Sequence, residues 1–343
     1  MITLRRPDDW HLHLRDGDGL HAVLPHTSAH FGRALVMPNL LPPVTTVAAA
    51  CAYRDRILDA LPPGHHFRPL MTLYLTDTTS PQTLAEAAAH PDIHAVKLYP
   101  AGATTHSDAG VSDPAALDEV FSELERSGLP LCVHGEVTDP EIDIFDREAV
   151  FLERTLAPLL ERHPDLRCVV EHATTAEAIR FVRAAGPKVG ASLTAHHLLL
   201  SRNHLFEGGI RPHRYCLPIL KRRSHQEALL EAATSTDPRF FLGTDSAPHG
   251  RARKQSPCGC AGMYTAPVAL ALYAEAFDSV GAIDRLEAFA SLNGPAFYGL
   301  SPNEERITLV REPEPIPDHY DFGADVVVPI RAGGQTAWRI AAE

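Results

Sequence analysis

Two histidines near the start of the chain have a spacing that could bind a metal ion. His11 and His13 are separated by one leucine in the segment DDWHLHLRDG. Residues two apart on an extended strand project from the same face, so both imidazole rings could contact one ion. The chain contains 20 histidines among 343 residues, and at that frequency a pair with this spacing is expected about once by chance. The pair therefore needs support from other parts of the sequence.

Further reactive side chains lie at the ends of other short apolar segments. Taken singly, each histidine is more often a structural residue than a ligand, by about two to one. Four histidines, one lysine and one aspartate at such positions are not explained in this way, and together they predict one site. The segments and their polar residues are RALVMPN with Asn39, HAVKLYP with Lys97, PLCVHGE with His134 and Glu136, RCVVEHA with His172, and RFFLGTD with Asp245.

The apolar segments that carry these residues have the composition of buried β-strands. Eight of them recur along the chain, separated by segments with helical periodicity or turn residues. This pattern predicts a (β/α)8 TIM barrel, in which the C-terminal ends of the strands form one rim and build the active site. A doubly wound open sheet is the alternative, but no glycine-rich phosphate loop follows the first strand. The predicted strands begin at Trp10, Arg33, Pro69, His94, Pro130, Arg167, Val189 and Arg239.

Five segments between the predicted strands have the features of helices. The third begins at Asp113, which precedes a proline, and ends at Gly128, and both are typical helix boundaries. Thr174 or Thr175 is expected to cap the fifth helix. The predicted helices cover residues 45–61, 80–90, 113–128, 148–163 and 174–186. We therefore predict a barrel over residues 1–300 and a short C-terminal extension over residues 301–343, which could add a few strands.

Composition and charge argue against several classes of protein. A net charge of −12 disfavours binding to nucleic acid or to an anionic membrane, because both need a dense basic face. The N-terminus lacks the apolar stretch of a signal peptide, and no segment approaches the roughly 20 apolar residues of a spanning helix. We therefore expect a soluble cytoplasmic protein. Cys258 and Cys260 lie in PCGCAG without a second cysteine pair, so a loop is favoured over a zinc site.

Lys97 is the unusual member of the predicted site, because an ammonium ion repels metal ions. A neutral lysine reacts with carbon dioxide to form a carbamate, whose two oxygens can bridge two cations. Burial and neighbouring cations lower the pKa of a lysine and favour the neutral amine that this reaction needs. A carboxylated Lys97 would therefore make the residue set suitable for a binuclear metal centre.

The motifs that carry these residues resemble those of the binuclear-zinc amidohydrolase superfamily. HLH, KLYP, VHGE, EH and GTDSAPH lie at the ends of the first, fourth, fifth, sixth and eighth predicted strands. Within that superfamily, MPNLLPPVTT, YPAGATTHS, GGIRPHRYCLPILKR and CGCAG are similar to the short, bacterial-type dihydroorotases. The resemblance extends from Arg6 to about Leu300, with nearly colinear spacing.

This resemblance implies a metal centre with assigned ligands. Two Zn²⁺ ions per subunit would be bridged by carboxylated Lys97 and a hydroxide. The more buried ion is assigned to the two histidines of the HLH motif together with Asp245, and the second ion to His134 and His172. Asp245 is also the implied catalytic residue, because it would carry the proton from the attacking water to the leaving nitrogen.

A second group of residues is implied to bind the substrate. Arg15 and Asn39 would hold a carboxylate of the substrate, with help from His249, and His134 would also contact the substrate. Backbone groups of two further residues would meet the amide edges of the pyrimidine ring, namely Leu217 and Ala261.

The segment AGATTHS is implied to form a lid over the site. Its Thr104 and Thr105 would reach the bound substrate. The sequence departs from the family at Gly102, where an asparagine is expected. A glycine at this position loosens the backbone and could change how readily the lid closes.

The implied reaction is the reversible cyclisation of N-carbamoyl-L-aspartate to L-dihydroorotate in de novo pyrimidine (UMP) biosynthesis. The resemblance also implies a homodimer that acts on a small molecule. Three alternatives stay open at this stage. They are another cyclic-amide hydrolase such as a hydantoinase or allantoinase, a barrel aldolase with Lys97 as its Schiff-base lysine, and a metal-free barrel that binds a partner.

Overall fold

The computed structural model describes residues 1–341 of the chain. One strand, β1 (Ile2–Arg5), precedes a sheet of eight parallel strands that are hydrogen-bonded in sequence order. Each of the eight predicted strands has a counterpart in this sheet, which confirms the predicted barrel. Its strands are β2 (Asp8–Leu12), β3 (Arg33–Val36), β4 (Arg68–Tyr74), β5 (Ile93–Leu98), β6 (Leu131–Val133), β7 (Cys168–Val170), β8 (Val189–Leu193) and β9 (Phe240–Leu242).

The segment after β9 closes the barrel against β2. The backbone N–H of Asp245 donates to the carbonyl of His11 at 2.9 Å, and the N–H of His13 donates to the carbonyl of Ser246 at 3.2 Å. Leu12 and Ser246 form a parallel bridge between them. These bonds bring the first and last functional segments of the barrel side by side.

Apolar side chains fill the interior of the barrel, as is usual for this fold. Trp10 stacks on Tyr298 with ring centroids 4.2 Å apart. Because this interior is packed, most of the predicted reactive side chains lie near the rim. The cluster around Trp10 also contains Leu35, Met37, Leu70, Ala95, Cys132, Val169 and Phe241.

All five predicted helices are present, with small shifts at their ends. Asp113 caps a short 3₁₀ turn (Pro114–Leu117) that leads into α4, and Gly128 ends α4 in the left-handed conformation. Thr175 rather than Thr174 caps α7. The helices are α1 (Gly17–Ser28), α2 (Val47–Asp59), α3 (Pro81–Ala89), α4 (Asp118–Ser127), α5 (Arg147–Phe151), α6 (Ala157–Arg162), α7 (Ala176–Ala184), α8 (Ala195–Leu199), α9 (Arg223–Ala233), α10 (Arg251–Lys254), α11 (Ala269–Asp278) and α12 (Asn293–Tyr298).

Both chain termini contribute to a small sheet outside the barrel. Strand β10 (Arg306–Val310) pairs antiparallel with β1 on one side and with β15 (Arg339–Ile340) on the other. The residues before the barrel therefore join the strands of the tail, which the sequence did not predict. The tail also forms two hairpin-like pairs, β11 (Glu314–Pro315) with β14 (Gln335–Thr336) and β12 (Tyr320–Phe322) with β13 (Asp325–Val327).

None of the helices within residues 1–341 combines the length and the hydropathy of a bilayer-spanning helix.

Candidate metal centre and substrate pocket

The barrel places the predicted reactive residues around one cavity at the C-terminal ends of its strands. Lys97 lies inside β5 and His134 follows β6 directly, whereas His172 and Asp245 lie two and three residues after β7 and β9. Lys97 is fully buried beneath the others. The residues that line the cavity are His11, His13, Arg15, Asn39, Tyr99, Thr104, Thr105, His134, His172, Leu217, Asp245, Ala247, His249, Ala261 and Gly262.

His11, His13 and Asp245 form a compact, buried cluster. The Nε2 atoms of the two histidines lie 3.3 Å apart, and Asp245 Oδ1 lies 3.3 Å from the first and 3.2 Å from the second. Burial lowers the pKa of both histidines, for His13 to about 4. Asp245 is buried in the same cluster and faces both imidazole rings.

The polar contacts around the cluster indicate where the protons lie. Asn39 donates its Nδ2 to the carbonyl of Thr105 at 3.3 Å, so its Oδ1 faces His13 Nδ1 at 2.8 Å and accepts a hydrogen bond from it. His11 Nδ1 lies 2.9 Å from a carboxylate oxygen of Glu171, which favours a proton on that nitrogen. Each Nε2 atom therefore carries a lone pair, and the two Nε2 atoms face each other and Asp245. Three electron-pair donors with no proton among them fit a cation.

A second set of ligand-type side chains adjoins this cluster. The Nε2–H group of His134 donates to Glu136 at 2.9 Å, so the lone pair of this ring is on Nδ1. His172 lies between His134 and His11, with ring centroids 4.9 Å from each, and its Nδ1 is buried without a hydrogen-bond partner in the described chain. His172 also forms a compact cluster with His11 and Glu171. The unpartnered Nδ1 of His172 and the lone pair on Nδ1 of His134 are the ring atoms that remain for a second cation.

Glu171 has no role in the site predicted from the sequence. Its carboxylate lies between His11 and Lys97, and Lys97 Nζ forms a fully buried ion pair with it. Burial lowers the pKa of Lys97 to about 7. The motif EH offered a signal for this residue, because a carboxylate next to a ligand histidine often fixes the orientation of a neighbouring ligand.

Three residues at this rim have a backbone conformation that side chains rarely adopt. The φ angles of Arg15, His172 and Asp245 are +63°, +40° and +45°. Left-handed conformations of this kind cost free energy at residues other than glycine, and they concentrate at functional sites. At Arg15 a hydrogen bond stabilises this conformation, because the hydroxyl of Tyr53 donates to the carbonyl of Arg15 at 2.6 Å.

Arg15 adds a cationic group to the same cavity. Its Nε donates to the carbonyl of Pro248 at 2.9 Å, and its Nη2 lies 3.0 Å from His249 Nε2. His249 Nε2 is also 3.0 Å from the carbonyl oxygen of Ala261. Burial, together with the charges of Arg15 and Lys254, lowers the pKa of His249, so this histidine is neutral. A guanidinium beside a neutral histidine suits an anionic group of a ligand.

The predicted lid segment borders this cavity. Thr104 and Thr105 line it, and the lid is internally bonded, because Thr104 N donates to Ser107 Oγ at 2.9 Å. Gly102 has a φ of +76°, and no atom lies within 4 Å of the place that its Cβ would occupy. Asparagine is among the residues that tolerate this region best after glycine, so the departure at Gly102 preserves the backbone conformation.

Two other groups of polar residues lie outside this cavity. Both ring nitrogens of His197 have a hydrogen-bond partner. Its Nδ1 lies 2.7 Å from Thr194 Oγ1, and its Nε2 donates to the carbonyl of Pro218 at 3.0 Å. His197 forms a buried cluster with His196 and Cys216. The ring nitrogens of His197 are already used, whereas both ring nitrogens of His196 are buried without a hydrogen-bond partner in the described chain. The sulfur atoms of the CGC motif lie 3.8 Å apart as free thiols, in agreement with a loop.

The comparisons with known proteins agree with this arrangement. The model of the amidohydrolase family matches residues 8–309. A curated dihydroorotase from Aromatoleum aromaticum is 63% identical over 99% of each chain. The structure superposes on a dihydroorotase from Campylobacter jejuni with a TM-score of 0.90 at 34% identity, covering 99% of this chain and 97% of that one. A Saccharomyces cerevisiae dihydroorotase in complex with 5-fluoroorotic acid gives a TM-score of 0.91 at 32% identity, covering 99% and 98%. The chain therefore belongs to the amidohydrolase family and, within it, to the dihydroorotases.

Proposed function

We propose that the chain is a dihydroorotase that interconverts L-dihydroorotate and N-carbamoyl-L-aspartate, with ring closure serving pyrimidine biosynthesis. The observation that carries this proposal is the position of Arg15 in the same cavity as the proton-free cluster of His11, His13 and Asp245. A guanidinium next to a cluster that can bind a cation suits a substrate that has both a cyclic amide and a carboxylate. The dihydroorotases at about 60% identity support dihydroorotate over hydantoin or allantoin as the substrate.

Two zinc ions per subunit are the proposed cofactors. The first would be held by His11, His13 and Asp245, and the second by His134 and His172, with carboxylated Lys97 bridging them. The pKa of Lys97, which burial lowers to about 7, supports this modification because the neutral amine is the form that reacts with carbon dioxide. When bound, the ions would activate water near neutral pH and polarise the scissile carbonyl.

Asp245 is the proposed proton carrier. Its carboxylate faces the cavity and lies next to the Nε2 atoms of His11 and His13. In the hydrolytic direction it would accept the proton of the attacking water and deliver it to the amide nitrogen as the C–N bond breaks. In the ring-closing direction the same carboxylate would take the proton from the carbamoyl nitrogen as the C–N bond forms, and would return it to the departing hydroxide, which leaves as water.

The remaining cavity residues are assigned to the substrate. Arg15 would hold the carboxylate by a charge-assisted hydrogen-bond pair, with Asn39 and neutral His249 beside it. His134 would contact the ring, and the lid residues would exclude water. The backbone groups assigned to the ring amides are those of Leu217 and Ala261, and the lid residues are Thr104 and Thr105.

The organisation of the protein in the cell is also a proposal. We propose a cytoplasmic homodimer in which residues 1–300 form the catalytic barrel and residues 301–343 form an extension packed on it. Neither nucleic acid nor a membrane is a proposed partner, because the net charge is −12.

The proposal is tested by measuring metal content and turnover on the same purified protein. We expect close to two zinc ions per chain and hydrolysis of dihydroorotate much faster than of hydantoin or allantoin. Preference for hydantoin would move the protein to another cyclic-amide hydrolase. Borohydride trapping of a substrate on Lys97 in a zinc-free protein would instead indicate the aldolase alternative.

A further inference from the structure

Lys254 is a buried cation that lies outside the metal cluster. It ends the short helix α10, and only 3% of its surface is exposed. Its Nζ donates to three backbone carbonyls, at 2.8 Å to Tyr215, 2.8 Å to Cys260 and 2.9 Å to Gly262. An ammonium group has three N–H donors, so each one has an acceptor. Within residues 1–341 no carboxylate pairs with this charge, and the three carbonyl dipoles are its hydrogen-bond partners.

The three carbonyls belong to two loops that border the substrate cavity. Tyr215 lies two residues before Leu217, while Cys260 and Gly262 stand on either side of Ala261. The loops also meet directly, because Gly262 N donates to the carbonyl of Tyr215 at 3.0 Å. Lys254 therefore connects, through one charge, the two segments that contribute Leu217 and Ala261 to the cavity.

We propose that Lys254 is a positioning residue that fixes the backbone of Leu217 and Ala261 for recognition of the substrate ring. This inference rests on the proposed function, which assigns those two residues to the ring amides. Three carbonyl dipoles that point at one place repel one another unless a cation stands between them. Without Lys254 the carbonyls of Cys260 and Gly262 would turn away, and Ala261 would move with them.

The charge of Lys254 gives the inference a dependence on pH. Burial lowers the pKa of Lys254 to about 8, so the ammonium form is lost as the pH rises through that value. Loss of the charge weakens the attraction for all three carbonyls. We therefore expect KM to rise above pH 8. The titratable groups that face Lys254 are Tyr215, Cys216, Cys260, His213 and His249.

The test compares Lys254→Met and Lys254→Arg with a matched control, Lys221→Met. Lys221 is equally buried and donates to the carbonyl of Ile219 at 3.1 Å. A displacement of about 1 Å in a binding group can cost on the order of 100-fold. We expect Lys254→Met to raise KM for dihydroorotate about 10- to 100-fold, with kcat within about threefold and unchanged zinc content. Lys254→Arg should restore part of the KM and remove its rise above pH 8.

Hydrogen exchange supplies a readout that does not depend on turnover. In Lys254→Met, exchange should increase together in residues 215–217 and 258–263, and in Lys221→Met these segments should match the wild type. A Lys254→Met protein with normal KM, or with lower thermal stability as its only change, would overturn the inference. If Lys254→Met does not fold, a KM of the wild type that stays constant from pH 7 to 9.5 overturns it. A wild type that binds zinc but does not hydrolyse dihydroorotate refutes the proposed function instead, and exchange still decides whether Lys254 holds both loops.

Discussion

Replacement of Arg15 by lysine separates recognition of the substrate from binding of metal. The substitution keeps the positive charge but removes the planar fork of donors, so a carboxylate would keep one charge-assisted hydrogen bond instead of two. It also removes the donor that Arg15 Nε provides to the carbonyl of Pro248. The side chain makes no contact that would hold His11 or Asp245 in position, and the metal cluster should remain intact.

The expected effect follows from the bond that is lost. A hydrogen bond to a charged group contributes about 1.5–3 kcal/mol, which corresponds to a fall in kcat/KM of about 10- to 150-fold. Because the carboxylate is bound in both the ground state and the transition state, most of the change should appear in KM.

The assay is steady-state hydrolysis of dihydroorotate with zinc measured on the same sample. Arg126→Lys is the matched control, because Arg126 holds Glu123 in a two-pronged contact on the surface, with its Nε at 2.9 Å from one oxygen and its Nη2 at 2.6 Å from the other. It should leave turnover unchanged. Wild-type kinetics in Arg15→Lys, or a loss of zinc equal to the loss of activity, would refute the assignment of Arg15 to the substrate carboxylate.

Three further predictions concern the metal ligands and the packing. His172→Ala should reduce the zinc content toward one ion per chain, because it removes a buried unpartnered imidazole, and full retention of two ions with normal turnover would exclude it as a ligand. Glu171→Gln should weaken zinc binding about 10- to 100-fold in a chelator titration, because the Glu171 carboxylate contacts His11 Nδ1 and orients that ring. Equal zinc affinity of the variant and the wild type would contradict that role. Gly294→Ala should lower the free energy of unfolding by about 1–3 kcal/mol in denaturant, because the new Cβ would lie 1.9 Å from Trp10 Nε1. Gly135→Ala is its control, since its Cβ would meet Phe151 at an ordinary 3.6 Å, and equal stability of the two variants would contradict the packing argument.

The sequence predicted the barrel strands well because burial and chemistry leave local marks. Apolar runs such as LCV in β6 and CVV in β7 are recognisable without their neighbours, since a strand covered on both faces excludes polar residues. The helices with clear caps were predicted for the same reason. Helices α1, α9 and α11 were not assigned, and the pairing of β1 with β10 joins residues about 300 positions apart along the chain. No local pattern specifies such a partner.

The metal-type residues were also predictable as a set, although their geometry was not. His11, His13, Lys97, His134, His172 and Asp245 could be selected from residue type and from their place at strand ends. The orientation of each imidazole was beyond the sequence, because it depends on partners from other strands. Asn39 sets the proton of His13, Glu136 sets that of His134, and Glu171 stands between His11 and Lys97.

The sequence by itself determined which reactive groups the protein has and that parallel strands carry them to one rim. It did so because residue type and short-range periodicity are properties of the local chain. Only the tertiary structure decided which nitrogen of each histidine faces the cavity and that Lys254 joins the loops of Leu217 and Ala261. Those features depend on distances between atoms that are far apart in the chain, and the closure of the barrel and the packing of its loops set such distances.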